Sequence, residues 1–248
     1  MLVFKYGQNT SHPGEAAVIP GASAQPNDDD AASQRGHPVM RGKGQPRSQA
    51  PAQALARRLN KTIVLVGLMG AGKSCVGKRL AACLGLPFVD ADREIEAAAG
   101  GCSISDVFAI HGEKVFRDGE RRVIQRLLGN PIQVLATGGG AFMDPSTRAL
   151  VKERSLSVWL KADLEQLLKR IGRRNDRPLL QNVDPREKLS ELIAMRYPVY
   201  AEADLTVESA DGPPDMTVQR VLRAIEAELS ATKTGDLDAN GSGGATQP

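Results

Sequence analysis

The sequence predicts an α/β protein, a three-layer α/β/α sandwich built around a central five-stranded parallel sheet. Two observations support this prediction. Short apolar segments alternate with longer amphipathic segments between about residues 59 and 230, and a glycine-rich segment joins the first apolar run directly to a helical pattern. Strands that alternate with helices form parallel sheets whose two faces are covered by those helices.

Five apolar segments are predicted to be strands, because they are short, apolar and bounded by turn residues. A helix is predicted over residues 73–84, with Gly85 as its natural end. Further helix starts are indicated where Ser or Asp stands at N-cap spacing, in some cases just before a proline. The predicted strands are 62–66, 87–89, 132–136, 156–160 and 204–207, and the predicted N-caps are Ser103, Asp144, Asp163 and Asp184.

Both ends of the chain are predicted to be disordered. Residues 1–58 are rich in Gly, Pro, Ser, Gln and Ala and show almost no apolar periodicity, and residues 231–248 end in a similar polar run. Such segments bury too little apolar surface to offset the entropy lost on folding. The folded domain is therefore expected to span residues 59–230.

The composition limits the possible partners. The chain has 41% hydrophobic and 25% charged residues and a net charge of only +3, and it lacks the concentrated basic stripe of nucleic-acid-binding proteins. No apolar run reaches the roughly 18 residues that a membrane-spanning helix needs. The three cysteines have neither disulfide nor zinc spacing. We expect a cytoplasmic protein with no nucleic-acid partner and no membrane partner.

The most informative segment is residues 67–74, which read Gly-Leu-Met-Gly-Ala-Gly-Lys-Ser. It matches G-x-x-x-x-G-K-[ST], in which the backbone N–H groups of a glycine-rich turn and the start of a helix cradle phosphates. Lys73 can reach the β- and γ-phosphates, and the Ser74 hydroxyl can coordinate magnesium. The pattern predicts nucleotide binding but no particular reaction. The alternative is a strand-to-helix turn that binds nothing.

Two carboxylates, Asp90 and Asp92, follow the second predicted strand. In an extended segment, side chains two residues apart point the same way, and the carboxyl ends of parallel strands surround the ligand crevice. One carboxylate could support magnesium through water, and the other could accept a proton from an attacking hydroxyl. The alternative is that the pair only caps the next helix.

Three other segments carry weaker signals. The glycines at 138–140 would let a ligand approach the backbone closely, although a flexible connector has the same composition. The basic segment 170–180 is typical of a mobile lid that brings arginine to the phosphates, or of a plain surface loop. Arg117, on a helix of mixed charge, and Arg196, at a helix end, are unremarkable by themselves.

Together and in this order, the segments between about residues 62 and 207 resemble the shikimate kinases. The resemblance rests on the phosphate loop, Phe-Val-Asp-Ala-Asp at 88–92, Gly-Glu-x-x-Phe-Arg at 112–117, the three glycines, Arg-Pro-Leu-Leu at 177–180 and Arg-x-Pro-x-Tyr at 196–200. It implies the P-loop kinase fold with a mobile lid. It also implies phosphorylation of the 3-hydroxyl of shikimate by ATP and magnesium, giving shikimate 3-phosphate and ADP, in the biosynthesis of aromatic amino acids.

The resemblance also implies a role for each matching residue. Asp92 would hold the shikimate hydroxyls and act as the base, Arg117 and Arg196 would bind the carboxylate, Arg170 would flank the adenine, and Arg177 would be the lid residue on the phosphates. The implied sets are as follows: catalytic Asp92, Lys73 and Arg177; nucleotide-binding Gly70, Ala71, Gly72, Lys73, Ser74, Cys75, Arg170 and Arg177; substrate-binding Asp92, Arg117, Gly138, Gly139, Gly140 and Arg196; and, for one Mg²⁺ per ATP, Ser74 and Asp90.

The expected partners are ATP and shikimate, and the expected active form is a monomer. Two alternatives stay open. One is another small-metabolite kinase on the same scaffold, of the gluconate type, in which Arg117 and Arg196 would not converge. The other is a nucleotide-binding regulatory module without catalysis, against which the intact phosphate loop and Asp92 argue.

Overall fold

Five parallel strands form the centre of the fold in the computed structural model, which describes residues 50–171, 184–209 and 211–239. They are β1 (Thr62–Val66), β2 (Phe88–Asp90), β3 (Val134–Ala136), β4 (Ser155–Lys161) and β5 (Leu205–Glu208). Their order across the sheet is β2-β3-β1-β4-β5, and every pairing is parallel. The predicted five-stranded parallel sheet is therefore confirmed: β1 has its predicted bounds, and those of the other strands differ by one or two residues.

Helices surround this sheet. In the described part of the chain they are α1 (Ala50–Ala56), α2 (Lys73–Leu84), α3 (Ala91–Ala98), α4 (Ile104–Leu128), α5 (Pro145–Arg154), α6 (Leu164–Ile171), α7 (Pro185–Tyr200) and α8 (Pro214–Ala239), with a 3₁₀ helix at Ala141–Met143. Helix α2 packs against α8 and β3, and α5 packs against β4 and α4. The predicted α/β/α architecture is confirmed.

The sheet lies in the core of the domain. Strand β1 is buried along its whole length, and so is β3. A parallel strand that is covered on both faces has a continuous apolar sequence, because neither face meets water. Since all five strands run the same way, their carboxyl ends meet at one edge, and the loops that leave this edge are close together in space.

Helix α2 begins and ends at the predicted residues. Gly72 precedes it with φ 97°, and Gly85 follows it with φ 68°. Residues with a Cβ atom rarely adopt these left-handed conformations, so the two glycines fix the ends of the helix. The four predicted N-caps are also confirmed, because each side-chain oxygen accepts a hydrogen bond from a backbone N–H in the first turn of its helix: Ser103 from Asp106, Asp144 from Thr147, Asp163 from Gln166 and Asp184 from Arg186.

Gly112 interrupts α4. Its backbone has φ 75° and ψ 171°, which are not helical values. The helix therefore has two arms, and the second arm carries the Gly-Glu-x-x-Phe-Arg motif that ends at Arg117.

The prediction that residues 1–58 are disordered is wrong for Ala50–Ala56, which form α1. Ala52, Leu55 and Leu59 are each no more than 7% exposed and belong to the core, and α1 packs against α2. Ala52 and Leu55 lie on one face of α1, and Leu59 continues the apolar spacing just beyond the end of the helix. Residues 1–49 lie outside the described part of the chain.

The carboxyl-terminal boundary also differs from the prediction. Helix α8 continues to Ala239, past the expected end of the domain at residue 230, and residues 240–248 lie outside the described ranges. Within the described residues, no helix combines the length and apolar character that crossing a membrane requires.

Candidate active site

A cleft of about 1120 Å³ opens at the carboxyl edge of the sheet. Its walls come from the loop after β1, the end of β2, both arms of α4, the turn after β3, helices α6 and α7, the segment after β5 and the start of α8. Most of the predicted site residues line this one cleft: Gly70, Gly72, Lys73, Ser74, Cys75, Asp90, Asp92, Arg117, Gly138, Gly139, Gly140, Arg170 and Arg196. Ala71 is buried within the loop itself, and Arg177 lies outside the described residues.

The loop between β1 and α2 has the form that phosphate binding requires. Gly67 has φ 136°, and a Cβ atom there would stand 2.7 Å from the Leu160 carbonyl oxygen, so only glycine fits. Lys73 folds back over the loop, where its Nζ donates to the carbonyl oxygens of Gly67, at 2.7 Å, and Leu68, at 3.0 Å. The ammonium group and the amino end of α2 thus place positive charge at one spot.

Asp90 connects the phosphate loop to the end of β2. Its Oδ2 accepts a hydrogen bond of 2.8 Å from Ser74 Oγ, and its Oδ1 accepts one of 3.2 Å from the backbone N–H of Asp92, which caps α3. The capping interpretation therefore holds for Asp90, and its role at magnesium stays a prediction. The expectation that both side chains extend from a strand is wrong, because Asp92 lies in the first turn of α3.

Asp92 sits against the glycine turn that follows β3. A Cβ atom on Gly138 would stand 2.6 Å from Asp92 Oδ1 and 3.3 Å from Glu120 Oε1. Burial raises the pKa of Asp92 above its ordinary value of 3.8, and the neighbouring Asp90 carboxylate raises it further, whereas Lys73 lowers it. Asp92 therefore faces the cleft as a carboxylate with a stronger affinity for a proton than an exposed aspartate has.

Arg117 approaches the same turn from α4. Its Nη1 donates to Glu120 Oε2 at 2.6 Å, and its guanidinium lies 5.8 Å from the ring centre of Phe108. A Cβ atom on Gly140 would come within 2.5 Å of Arg117 Nη2. The guanidinium is therefore held by a buried carboxylate, an aromatic face and the backbone of the turn.

Arg196 approaches the turn from a different helix, α7. Its Nη1 donates to the Gly139 carbonyl oxygen at 3.0 Å. Its Nε is buried and has no hydrogen-bond partner among the described residues. Two guanidinium groups from different helices thus meet at one three-residue turn, beside the Asp92 carboxylate. This is the convergence that a receptor for a small hydroxylated carboxylate needs.

Comparison with known proteins agrees with this geometry. The family model described as shikimate kinase matches residues 69–226, which is more than half of the chain. The chain belongs to the shikimate kinase family. Shikimate kinase of Paramagnetospirillum magneticum is 60% identical over 183 residues, covering 74% of this chain and 93% of that protein. Shikimate kinase of Rhodopseudomonas palustris is 50% identical over 185 residues, covering 75% and 91%.

Solved structures lead to the same family. Shikimate kinase from Acinetobacter baumannii in complex with shikimate superposes with a TM-score of 0.66 at 39% identity, over 72% of this chain and 98% of that one. Shikimate kinase from Aquifex aeolicus superposes with a TM-score of 0.58 at 31% identity, over 68% and 98%. The P-loop kinase fold of the shikimate kinase family, predicted from the motifs, is therefore confirmed.

On the nucleotide side of this shikimate kinase cleft, Ser209 joins the segment after β5 to the phosphate loop. Its hydroxyl donates to the Ala71 carbonyl oxygen at 2.9 Å and accepts from Arg170 Nη1 at 2.9 Å. The same arginine Nη1 lies 3.4 Å from the Gly70 carbonyl oxygen. Arg170 is thus held over the phosphate loop, immediately before Ile171, the last described residue ahead of 172–183.

Three functional candidates were not found from the sequence. Glu120, which is 2% exposed and carries a pKa raised by burial, stands three residues after Arg117, a spacing typical of a helical ion pair. Tyr200 stands four residues after Arg196 in the Arg-x-Pro-x-Tyr motif, but the motif alone gives it no role. Ser209 carries no sequence signal, because its partners lie more than a hundred residues earlier or on a separate helix.

Proposed function

We propose that this chain transfers the γ-phosphoryl group of ATP to the 3-hydroxyl of shikimate, giving shikimate 3-phosphate and ADP. One observation carries the proposal: two guanidinium groups from different helices and the Asp92 carboxylate line the same cleft as the phosphate loop. Shikimate has one carboxylate and three hydroxyls, and these are the groups that such a set of side chains would recognise. The membership of the chain in the shikimate kinase family gives independent support.

The acceptor binds through its carboxylate. Arg117 and Arg196 form charge-assisted hydrogen bonds to the two carboxylate oxygens, with the turn at Gly139 as the floor of the site. Because both guanidinium groups are already held in place, by Glu120 and by the Gly139 carbonyl oxygen, little side-chain entropy is lost on binding.

Asp92 orients the hydroxyl and accepts its proton. The hydroxyl oxygen forms a bond to the γ-phosphorus while the bond from that phosphorus to the bridging oxygen of ADP breaks, and the proton passes to the Asp92 carboxylate. Positioning of this kind and general-base assistance are the main catalytic contributions available to the protein, since phosphoryl transfer needs no covalent enzyme intermediate.

The nucleotide phosphates bind at the amino end of α2, with Lys73 swinging from the loop carbonyls to the β- and γ-phosphates. One Mg²⁺ per ATP would be held by the Ser74 hydroxyl and, through water, by the Asp90 carboxylate. These are oxygen donors, which Mg²⁺ prefers, and their mutual distance of 2.8 Å places them at one point of the cleft. When bound, the ion neutralises charge on the β- and γ-phosphates.

Two further assignments concern the nucleotide. Arg170 flanks the adenine, which its position at the cleft edge supports. The proposed contact of Arg177 with the phosphates stays a prediction, because that residue lies outside the described ranges.

A coupled ADP-release assay tests the proposed reaction. Full turnover is expected with ATP, Mg²⁺ and shikimate, and only background ADP release is expected with gluconate in place of shikimate. No turnover with shikimate would refute the proposal, and turnover with gluconate would favour the alternative class of small-metabolite kinase.

Asp92→Asn tests the role of the base. We expect kcat to fall by at least about a hundredfold, since general-base catalysis contributes at least that much. The control is Asp118→Asn, on α4, whose carboxylate pairs with Arg121 rather than facing the cleft. If Asp92→Asn turned over shikimate as fast as the parent, the assignment of this residue would be wrong.

We also propose the monomer as the active form, because the phosphate loop, both carboxylates and both arginines come from one chain and line one cleft. Sedimentation velocity at the enzyme concentration of the assay is expected to give a monomer with full activity. Activity that appeared only on association would contradict this.

A further inference from the structure

We propose that the Tyr200 hydroxyl is the positioning group that sets the orientation of Arg196 toward the carboxylate of the acceptor. The inference rests on the proposed function, in which Arg196 binds that carboxylate. Tyr200 follows Arg196 by one helical turn on α7 and is 1% exposed. Its hydroxyl donates to the Gly139 carbonyl oxygen, and the same oxygen accepts from Arg196 Nη1 at 3.0 Å.

One carbonyl oxygen therefore joins three parts of the site. Gly139 belongs to the turn after β3, whereas both donors belong to α7. A carbonyl oxygen has two lone pairs, and these two donors use both of them. The hydroxyl fixes the distance between the turn and the helix, and Arg196 Nη1 then has a single place to bind. Without the hydroxyl, Arg196 Nη1 would lose the neighbouring donor that shares this carbonyl oxygen and limits where it binds.

The Tyr200 ring is itself firmly held. Its centre lies 6.0 Å from that of Trp159, 6.3 Å from that of Tyr197 and 6.5 Å from that of Phe142. Aromatic rings at these separations pack in tilted or edge-to-face arrangements that favour one orientation. The hydroxyl is thus placed by a rigid apolar cluster. Burial raises the pKa of Tyr200 above its ordinary value of 10.0, so the hydroxyl keeps its proton and stays a donor at neutral pH.

The orientation of Arg196 matters because it decides which of its N–H groups are left for a ligand. With Nη1 bound to Gly139, the guanidinium keeps Nη2 for a ligand in the cleft that Arg196 lines. Arg196 Nε is buried and has no hydrogen-bond partner among the residues that the structure describes, so it offers no donor at the cleft surface. A charge-assisted hydrogen bond from Nη2 would bind one carboxylate oxygen. Tyr200 thus acts through Arg196 and contacts no ligand itself.

Tyr200→Phe is the decisive variant, because it keeps the ring and removes only the hydroxyl. We expect the KM for shikimate to rise by about three- to tenfold, the effect of losing one hydrogen bond in a buried site. The KM for ATP and kcat at saturating shikimate should stay at the parent values, since the loss affects ground-state and transition-state binding equally. An unchanged kcat also demonstrates that the variant is folded.

Tyr197→Phe is the matched control. Tyr197 is on the same helix, its ring belongs to the same aromatic cluster, and its hydroxyl donates to the Ala162 carbonyl oxygen, away from the glycine turn. Removing that hydroxyl makes the same chemical change and should leave the KM for shikimate at the parent value. A rise of equal size in both variants would mean that the tyrosines act only through the packing of α7, and it would overturn the inference.

The methyl ester of shikimate sharpens the test, because it lacks the carboxylate charge. If Tyr200 acts through Arg196, the ratio of the dissociation constants of Tyr200→Phe and parent, measured by calorimetry, should be about three- to tenfold for shikimate and close to one for the ester. An equal ratio for both ligands, or a parent-like KM for shikimate in Tyr200→Phe, would overturn the inference alone. A parent enzyme that fails to turn over shikimate would overturn the proposed function and this inference with it.

Discussion

Asp92 and Gly138 lie so close together that a Cβ atom on the glycine would stand 2.6 Å from Asp92 Oδ1. Non-bonded carbon and oxygen atoms do not approach to this distance without a shift of one of them. The same Cβ atom would stand 3.3 Å from Glu120 Oε1. The absence of a side chain at Gly138 therefore allows the half-buried Asp92 carboxylate and the buried Glu120 carboxylate to share the wall of the cleft.

Gly138→Ala should accordingly displace Asp92 from the cleft. The Asp92 backbone is fixed by the Asp90 cap of α3, so the carboxylate has to rotate or the turn has to move. We expect kcat with shikimate to fall by about a hundredfold, since a misplacement of about 1 Å has effects of that size. Steady-state kinetics measure this loss, and a thermal melt checks that the variant is folded.

The matched control for this substitution is Gly129→Ala, at the end of α4. A Cβ atom there would meet only backbone oxygens, the nearer being that of Arg126 at 3.4 Å, and the residue is far from the cleft walls. Parent-like kcat in both alanine variants would show that the space beside Asp92 is not required for turnover.

Ser209→Ala should weaken the nucleotide side of the site and leave the acceptor side unchanged. The Ser209 hydroxyl is buried between the Ala71 carbonyl oxygen and Arg170, so its loss leaves the arginine less firmly held over the phosphate loop. We expect the KM for ATP to rise by about two- to tenfold, the effect of one lost hydrogen bond, with an unchanged KM for shikimate.

Ser190→Ala serves as the control for Ser209→Ala. Ser190 is exposed on α7, and its hydroxyl donates only to the Arg186 carbonyl oxygen within the same helix. Both KM values should match the parent there. If Ser209→Ala raised the KM for shikimate rather than that for ATP, the hydroxyl would belong to the acceptor side.

Glu120→Gln should change the dependence of stability on pH. Burial raises the pKa of Glu120 above its ordinary value of 4.5, so the folded protein binds this proton more tightly than the unfolded chain does. The stabilisation by Glu120 is therefore fully present below about pH 4.5 and is lost as the pH rises through the folded pKa. The glutamine variant has no such loss.

The difference in Tm between Glu120→Gln and the parent, variant minus parent, should thus be more positive at pH 7.5 than at pH 4.5. Scanning calorimetry at both values measures it. Glu226→Gln, at an exposed position of α8, gives the reference for the same chemical change outside the cleft. A difference that became more negative as the pH rose would mean that the Arg117 ion pair outweighs the cost of burying the carboxylate.

Much of the fold and part of the site could be predicted because local rules decide them. The buried strand β1 is a continuous apolar run, and α2 has its predicted bounds because glycines at 72 and 85 take left-handed conformations. The phosphate loop is likewise a local pattern. Tyr200 and Ser209 could not be assigned, because each bonds to a carbonyl oxygen 61 or 138 residues earlier in the chain. Only the folded sheet brings those atoms together.

Helix α1 was missed for a different reason. Its surroundings are rich in Ala, Gln and Arg, and a seven-residue helix has little stability of its own in water. The apolar face at Ala52 and Leu55 becomes significant only when α2 is present to cover it. The composition of residues 1–58 as a whole therefore predicts disorder, and the short apolar repeat at the end of this segment is too weak a signal to predict a helix.

Leu55→Ala tests whether α1 belongs to the folded domain. Leu55 is 6% exposed within the core, so truncation should lower the free energy of unfolding by about 2–5 kcal/mol, as for other buried leucines. The exposed Arg57→Ala on the same segment should change it by less than about 0.5 kcal/mol. Urea denaturation measures both.

Deleting residues 1–49 should preserve the stability of the domain, whereas deleting residues 1–58 should lower it, because only the second deletion removes α1. Equal stability of the two truncated proteins would mean that the helix contributes nothing to the fold.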